Sequence, residues 1–212
     1  MKLREPVNAV THFLGAFIFL VGGIFMVIYQ THNNTSLIIM TGGIIFSAGL
    51  VMLYSSSGIY HGYSGKEEVI KVLKKLDHAM IYVLIAASYT PLCLFVLTGQ
   101  KRLVILVILW AIVVIGVVTK LLIRRIPRPV STSLYLVMGW IVIFFIKDVI
   151  LSLPAKGFLF LLAGGILYTA GGIIYMIKKP NIWKRVGFHE LFHILVLTGS
   201  CSHYLLVLFY LG

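Results

Sequence analysis

The amino-acid sequence predicts an all-α polytopic membrane protein. It reads as a single seven-transmembrane-helix bundle over residues 1–212, with a cytoplasmic N terminus and the C terminus outside. Three observations carry this reading. Hydrophobic residues make up 60% of the chain and charged residues 11%, with a mean hydropathy of +1.03. The apolar stretches are continuous over about 20 residues, the length a helix needs to cross a bilayer, and do not alternate as the strands of an outer-membrane barrel do. The lysines and arginines are shared unequally between alternate loops. Seven spans use roughly 140 residues and leave about 70 for loops and tails, which excludes a soluble globular domain and any extramembrane domain of useful size.

The first apolar run, Val7–Tyr29, follows Met1-Lys2-Leu3-Arg4. That start resembles the basic end of a signal peptide. The apolar stretch is too long for one, and no small-residue cleavage site precedes Thr31-His32-Asn33-Asn34, so it reads as a retained helix. The second run, Leu37–Tyr60, begins after Asn33-Asn34 and stops at Gly62 and Gly65. The third is Leu76–Leu97. Within it, Ser88-Tyr89-Thr90-Pro91 predicts a kink whose freed backbone groups the serine and threonine hydroxyls satisfy. The fourth, Leu103–Ile123, follows Gly99, and the fifth, Ser131–Leu151, follows Pro127 and Pro129. The sixth, Phe158–Ile177, follows Pro154 and Gly157, and the seventh, Phe188–Leu211, follows Pro180. These breakers and the short loops leave no linker and no low-complexity segment.

Orientation comes from the cations. One face of the membrane receives Lys2, Arg4, Lys66, Lys71, Lys74, Lys75, Lys120, Arg124, Arg125, Arg128, Lys178, Lys179, Lys184 and Arg185, which is 14, and the other receives Lys101, Arg102, Lys147 and Lys156, which is 4. The richer face is cytoplasmic by the positive-inside rule. The net charge of +12 thus reads as topology signals beside anionic lipid, with no nucleic-acid partner. Cys93 and Cys201 lie inside apolar runs and form no metal-type pair, so the redox compartment is not set. The expected location is the plasma membrane, as a multi-pass protein.

Spans two and six share a pattern. Gly42-Gly43-Ile44-Ile45-Phe46-Ser47-Ala48-Gly49 is echoed by Gly164-Gly165-Ile166-Leu167-Tyr168-Thr169-Ala170-Gly171. Glycine-rich packing faces converge in composition. The other reading is a duplication in which spans one to three match spans five to seven, with span four as connector.

Ionisable groups inside spans are costly and point to function. Ser57 and His61 stand near the cytoplasmic end of span two, Asp77 and His78 at the cytoplasmic start of span three, and His189, Glu190 and His193 at that of span seven. The topology alone puts these three sets at one depth. His189 and His193 are four residues apart, on one helical face, a geometry that suits two imidazoles on one metal. A third imidazole from span two completes a three-nitrogen set with an open fourth position, the pattern of a catalytic zinc. Neither the oxygen-rich ligands of calcium or magnesium nor soft thiolates are on offer. Plain hydrogen bonding of these histidines to loops or headgroups is the competing reading.

His189-Glu190-Leu191-Phe192-His193 also spells HExxH, in which a metalloprotease uses the glutamate as base. No third ligand stands at metzincin spacing. Asn8 and His12 form a further pair at the inner end of span one, either supporting groups for the site or ordinary helix-start residues. His203 reads as a packed, hydrogen-bonded helix residue, His32 as a loop residue, and His78 points about 100° from Asp77 and is not a ligand. Lys147 and Asp148 are expected to pair and snorkel. Gly58 and Gly62 bracket His61 at GxxxG spacing, for helix packing that also brings His61 against span seven.

The chain resembles the bacterial hemolysin-III family, part of the larger group that contains the progesterone and adiponectin Q receptors. The resemblance rests on Asn8-x-x-Thr11-His12, Ser57-x-x-x-His61, Leu76-Asp77-His78-x-x-Ile81-Tyr82, Ser88-Tyr89-Thr90-Pro91, and His189-x-x-x-His193 followed by His203-Tyr204. It implies seven transmembrane helices, a zinc held by His61, His189 and His193, and Ser57 and Asp77 as polar groups beside the metal and its water. The position of Glu190 is not reliably acidic in the family, which weakens the protease reading. The animal receptors carry a cytoplasmic N-terminal domain that this chain all but lacks, so hormone signalling does not carry over.

Three functions follow as expectations. One is a zinc-dependent hydrolase of a lipid amide or ester entering from the inner leaflet, with Asp77 shuttling the proton and Ser57 orienting water or an oxyanion. The second is a non-enzymatic regulator of membrane fluidity or energetics with structural zinc. The third is a pore-forming cytolysin, disfavoured because the chain is too apolar to travel as a soluble toxin. Membrane lipids are the expected partners, and the sequence does not set the oligomeric state.

Overall fold

The computed structural model describes residues 3–123, 126–181 and 187–212. Their helices are α1 (Pro6–His32), α2 (Leu37–Gly62), α3 (Glu67–Val96), α4 (Gly99–Leu122), α5 (Arg128–Gly139), a 3-10 segment (Ile141–Phe145), α6 (Ile146–Ser152), α7 (Ala155–Ile177) and α8 (Phe188–Tyr210), with no strand among the described residues. Seven segments are long and apolar enough to cross a membrane, the stretch Arg128–Ser152 counting as one. Of the cations that set the expected orientation, Lys2, Arg124, Arg125, Lys184 and Arg185 lie outside the described residues.

Each helix starts and stops for a local reason. Pro6 opens α1, where its missing N–H costs nothing. The α1–α2 turn closes with Thr35 N–H donating to Gln30 O at 2.9 Å and Asn34 in the left-handed region at φ 54°. Gly99 takes φ +54°, a conformation that favours glycine. Span three differs from the apolar run that predicts it. α3 begins at Glu67, so Asp77 and His78 sit well inside a helix rather than at its start. The preceding turns are helical because Glu67 and Glu68 face the helix dipole favourably and no glycine or proline interrupts them. Nor does Pro91 end α3, which continues to Val96. The Ser88 and Thr90 hydroxyls donate to the carbonyls of Ile85 and Ala86, both at 2.8 Å.

Span five is broken where the apolar run looks uninterrupted. α5 stops at Gly139, and a 3-10 turn precedes α6. Tyr89 of α3 fills the break: its hydroxyl donates to Gly139 O at 2.6 Å and accepts from Val142 N–H at 2.9 Å. Backbone polar groups freed inside a membrane must be satisfied by protein, and this single side chain satisfies one donor and one acceptor.

α1 packs on α2, α2 on α3, α3 on α5, α5 and α6 on α7, α7 on α8, and α8 closes the ring on α1, while α4 stands outside against α3. The core is built from Phe19, Phe46, Leu50, Tyr54, Leu109 and Leu206, and Phe17, Leu37, Val137, Phe144 and Leu151 are exposed on the outer faces, as lipid contact demands. The two glycine-rich stretches each pack on a following helix: Gly42 lies against Pro91 and Gly49 against Ala87 of α3, while Gly164 lies against His203 and Gly171 against Phe192 and Leu195 of α8. Gly58 and Gly62, in contrast, seat α2 against Phe13 of α1 rather than against span seven. Asp148 pairs with Lys101 at 2.5 Å, not with its neighbour Lys147.

Candidate metal centre

His61 comes from the last turn of α2, and His189 and His193 come from the first two turns of α8. One ring nitrogen from each lies within 4.8 Å of the other two. The ring centroids are 5.1 Å apart for His61 and His189, 4.8 Å for His61 and His193, and 4.6 Å for His189 and His193. A tetrahedral zinc with nitrogens at about 2.0–2.1 Å needs them about 3.3 Å apart, so small side-chain movements close the set. His61 and His193 are buried, and His193 Nδ1 has no hydrogen-bond partner among the described residues. A buried imidazole nitrogen left without a partner is costly unless something binds it. The donor set therefore fits a divalent cation of the zinc type, with its identity left open by three nitrogens alone.

Surrounding groups hold the rings. Glu5, just ahead of α1, accepts a hydrogen bond from His61 Nδ1 at 2.7 Å. A carboxylate only accepts, so Nδ1 carries the proton and Nε2 is the free ligand atom. This is the carboxylate–histidine arrangement that commonly orients metal ligands. The hydrogen bond from His61, with help from Asn8 and Arg4, holds the Glu5 carboxyl at about 2 despite partial burial. Asn8 Nδ2 donates to Glu5 Oε2 at 3.1 Å and to Glu190 Oε1 at 3.0 Å, tying α1 to α8. Glu190 Oε2 accepts from Gly187 N–H at 2.9 Å and caps α8. One oxygen of the HExxH glutamate thus ties α8 to α1 and the other caps α8.

His12 enters the cluster as a fourth imidazole. It stacks on His193 at 3.8 Å between centroids and meets Tyr54 edge-on at 5.0 Å, with both ring nitrogens buried and unpartnered among the described residues. His78 stays outside, its Nε2 3.5 Å from the Tyr175 hydroxyl. His203 packs on Gly164 and reaches Leu161 O at 3.2 Å, a helix-packing residue as expected. Glu5 is the residue that sequence reading missed. The available signal was scarcity, since the chain has only 6 acidic residues and one stands next to the first span.

Ser57 and Asp77 line the same cavity as the histidines. The cavity is about 1680 Å³ and runs from Glu5, His61 and His193 past Leu84, Tyr89 and Trp140 to Leu161 and His203. It exceeds the roughly 300–1,000 Å³ of ordinary small-molecule pockets, and its walls away from the histidines are largely apolar.

A seven-span bundle with a histidine-lined chamber is the architecture of a heptahelical membrane protein. A model of the family described as Haemolysin-III related matches residues 1–204. The chain is 37% identical over 208 residues to "Hemolysin-3 homolog" of Bacillus subtilis (strain 168), covering 98% of this chain and 94% of that one. It is 34% identical over 208 residues to "Hemolysin-3" of Bacillus cereus, covering 98% and 91%. "Heptahelical transmembrane protein 5" of Arabidopsis thaliana is 29% identical over 182 residues, 75% of this chain and 47% of that protein. The protein belongs to the Haemolysin-III related family and is a multi-pass integral membrane protein.

Proposed function

We propose that the protein is a zinc-dependent hydrolase that cleaves an amide or ester of a lipid drawn from the inner leaflet. The observation that carries this reading is one chamber holding three convergent imidazoles, a carboxylate and a hydroxyl, continuous with a largely apolar cavity of about 1680 Å³. His61, His189 and His193 would hold the ion. A bound zinc supplies Lewis acidity, which polarises a carbonyl and acidifies water at neutral pH.

The chain's own groups do the rest. The Asp77 carboxylate takes a proton from the attacking water and returns it to the leaving amine or alkoxide, so that the products are a carboxylic acid and an amine or alcohol. The Ser57 O–H donates to the oxygen on which negative charge develops. Glu5 holds the His61 ring, and Asn8 with Glu190 holds α8 in place. The apolar walls seat the acyl chain and keep bulk water from the reacting bond.

The test is fatty-acid release by purified protein with zinc measured in the same sample. His189→Ala/His193→Ala should lose one equivalent of zinc, and Asp77→Asn should keep the metal and the fold while losing turnover. No release from any lipid amide or ester, together with an unchanged cellular phenotype for Asp77→Ala, overturns the catalytic reading. A second reading is favoured by the origin of the three imidazoles on two helices, α2 and α8. A zinc there staples the two spans and serves a non-enzymatic regulator of membrane fluidity or energetics. For that protein Asp77→Asn changes nothing, whereas loss of the histidines lowers stability.

A further inference from the structure

Lys120, at the inner end of α4, is the only lysine or arginine that is buried among the described residues. Its Nζ donates to Ser131 Oγ of α5 at 2.6 Å and lies 5.7 Å from the centre of the Tyr135 ring. Neither neighbour carries charge. All six carboxylate side chains of the protein, Glu5, Glu67, Glu68, Asp77, Asp148 and Glu190, fall among the described residues. The ion pairs they make are Glu5 with Arg4 and His61, and Asp148 with Lys101. A buried cation without a counterion is strongly disfavoured. A lysine that serves only topology extends outward to the headgroups, whereas this one is held in the cavity wall.

Two more cations line the same cavity. Lys74 of α3 is exposed. Arg128 of α5 is fixed with its guanidinium 4.4 Å from the Tyr175 ring centre and 5.6 Å from that of Phe188. Lys74, Lys120 and Arg128 all line the cavity. Several cations around one anion suit a phosphate, with its multiple acceptor oxygens, better than a single carboxylate. Beyond them the wall is apolar, through Ile81, Leu84, Ile143 and Ile146, so the anion is attached to a hydrocarbon.

We propose that Lys120, Lys74 and Arg128 form a phosphate site at the cytoplasmic-side mouth of the cavity, which takes the headgroup of an anionic phospholipid while an acyl chain lies along the apolar wall. The site requires neither a metal nor turnover, and it stands or falls independently of hydrolysis.

The test is equilibrium binding of labelled phosphatidylglycerol to the full-length protein in phosphatidylcholine nanodiscs, with oleate and inorganic phosphate as competitors. The parent should hold phosphatidylglycerol about tenfold more tightly than labelled phosphatidylcholine. Lys120→Met should remove most of that preference, Lys120→Arg should keep it, and Lys74→Gln should weaken binding about fivefold, the worth of one interfacial cation. Zinc content should be the same in all. Should Lys120→Met fail to fold, the exposed Lys74→Gln variant decides. Equal binding of the two phospholipids, or Lys74→Gln and Lys120→Met both indistinguishable from the parent, overturns the site. Stronger displacement by oleate than by unlabelled phosphatidylglycerol overturns the phosphate assignment. Displacement by inorganic phosphate at concentrations as low as those of the lipid overturns the headgroup as its source.

Discussion

The Glu5–His61 hydrogen bond makes the sharpest prediction, because Glu5 stands ahead of the first span and its side chain can be altered without disturbing helix packing. Glu5→Ala removes the acceptor from His61 Nδ1, now 2.7 Å away, and frees the ring to rotate and to exchange tautomers. Loss of such a supporting group typically costs 10–100-fold in metal affinity, about 1.4–2.7 kcal/mol. The Glu5 side chain is 38% exposed, so water screens part of its charge and the effect should fall near tenfold. Glu5→Gln keeps a carbonyl that can accept from Nδ1–H and loses only the charge, so it should cost less than Glu5→Ala. The assay is competitive zinc titration of purified protein against a chelator, with His61→Ala as the reference for loss of a ligand. A Glu5→Ala variant that binds zinc within about twofold of the parent, while His61→Ala loses it, would refute the claim that this carboxylate orients the ligand.

Tyr89→Phe leaves Gly139 O and Val142 N–H unpartnered at the break in span five; at about 0.6–1.7 kcal/mol per membrane hydrogen bond, it should destabilise the protein by about 1–3 kcal/mol in a reversible detergent-unfolding titration. Gly42→Ala brings a methyl within 2.8 Å of Pro91 Cα, a backbone atom that cannot yield, and should cost about 1–3 kcal/mol. Gly165→Ala, with nothing within 4 Å, should be neutral or stabilising by up to about 1 kcal/mol; equal effects at the two positions would contradict the packing of α2 on α3. Chelation should lower the melting temperature of the parent by an amount set by mass action, about 2.7 kcal/mol at a hundredfold excess of free zinc over Kd, and should leave His193→Ala unmoved.

Much of the site was legible before folding because its parts are local. An i, i+4 pair such as His189 and His193 shares a helix face wherever the helix goes, and the alternation of short loops brings the inner ends of spans two, three and seven to one depth. His12 was visible as a candidate, but its stacking on His193 depends on how α1 closes against α8, which no helical period encodes. The pairing of Asp148 was misread for a related reason. Lys147 is adjacent in sequence but points elsewhere on the helix, and Lys101 from another span supplies the charge. The break in span five was illegible because hydropathy reads composition, and Gly139-Trp140-Ile141 is apolar throughout.

By itself the amino-acid order determined that this chain crosses the membrane seven times, and it named three imidazoles able to meet, since hydrophobic length and helical periodicity act over at most a few turns. Tertiary structure alone decided what braces those imidazoles and where uncompensated charge is buried. Glu5 reaches His61 across 56 residues and Asn8 reaches Glu190 across 182, while Lys120 becomes a buried cation only when α5 covers it. Such contacts depend on which helices are neighbours in the ring, and that is settled by the joint packing of all seven spans.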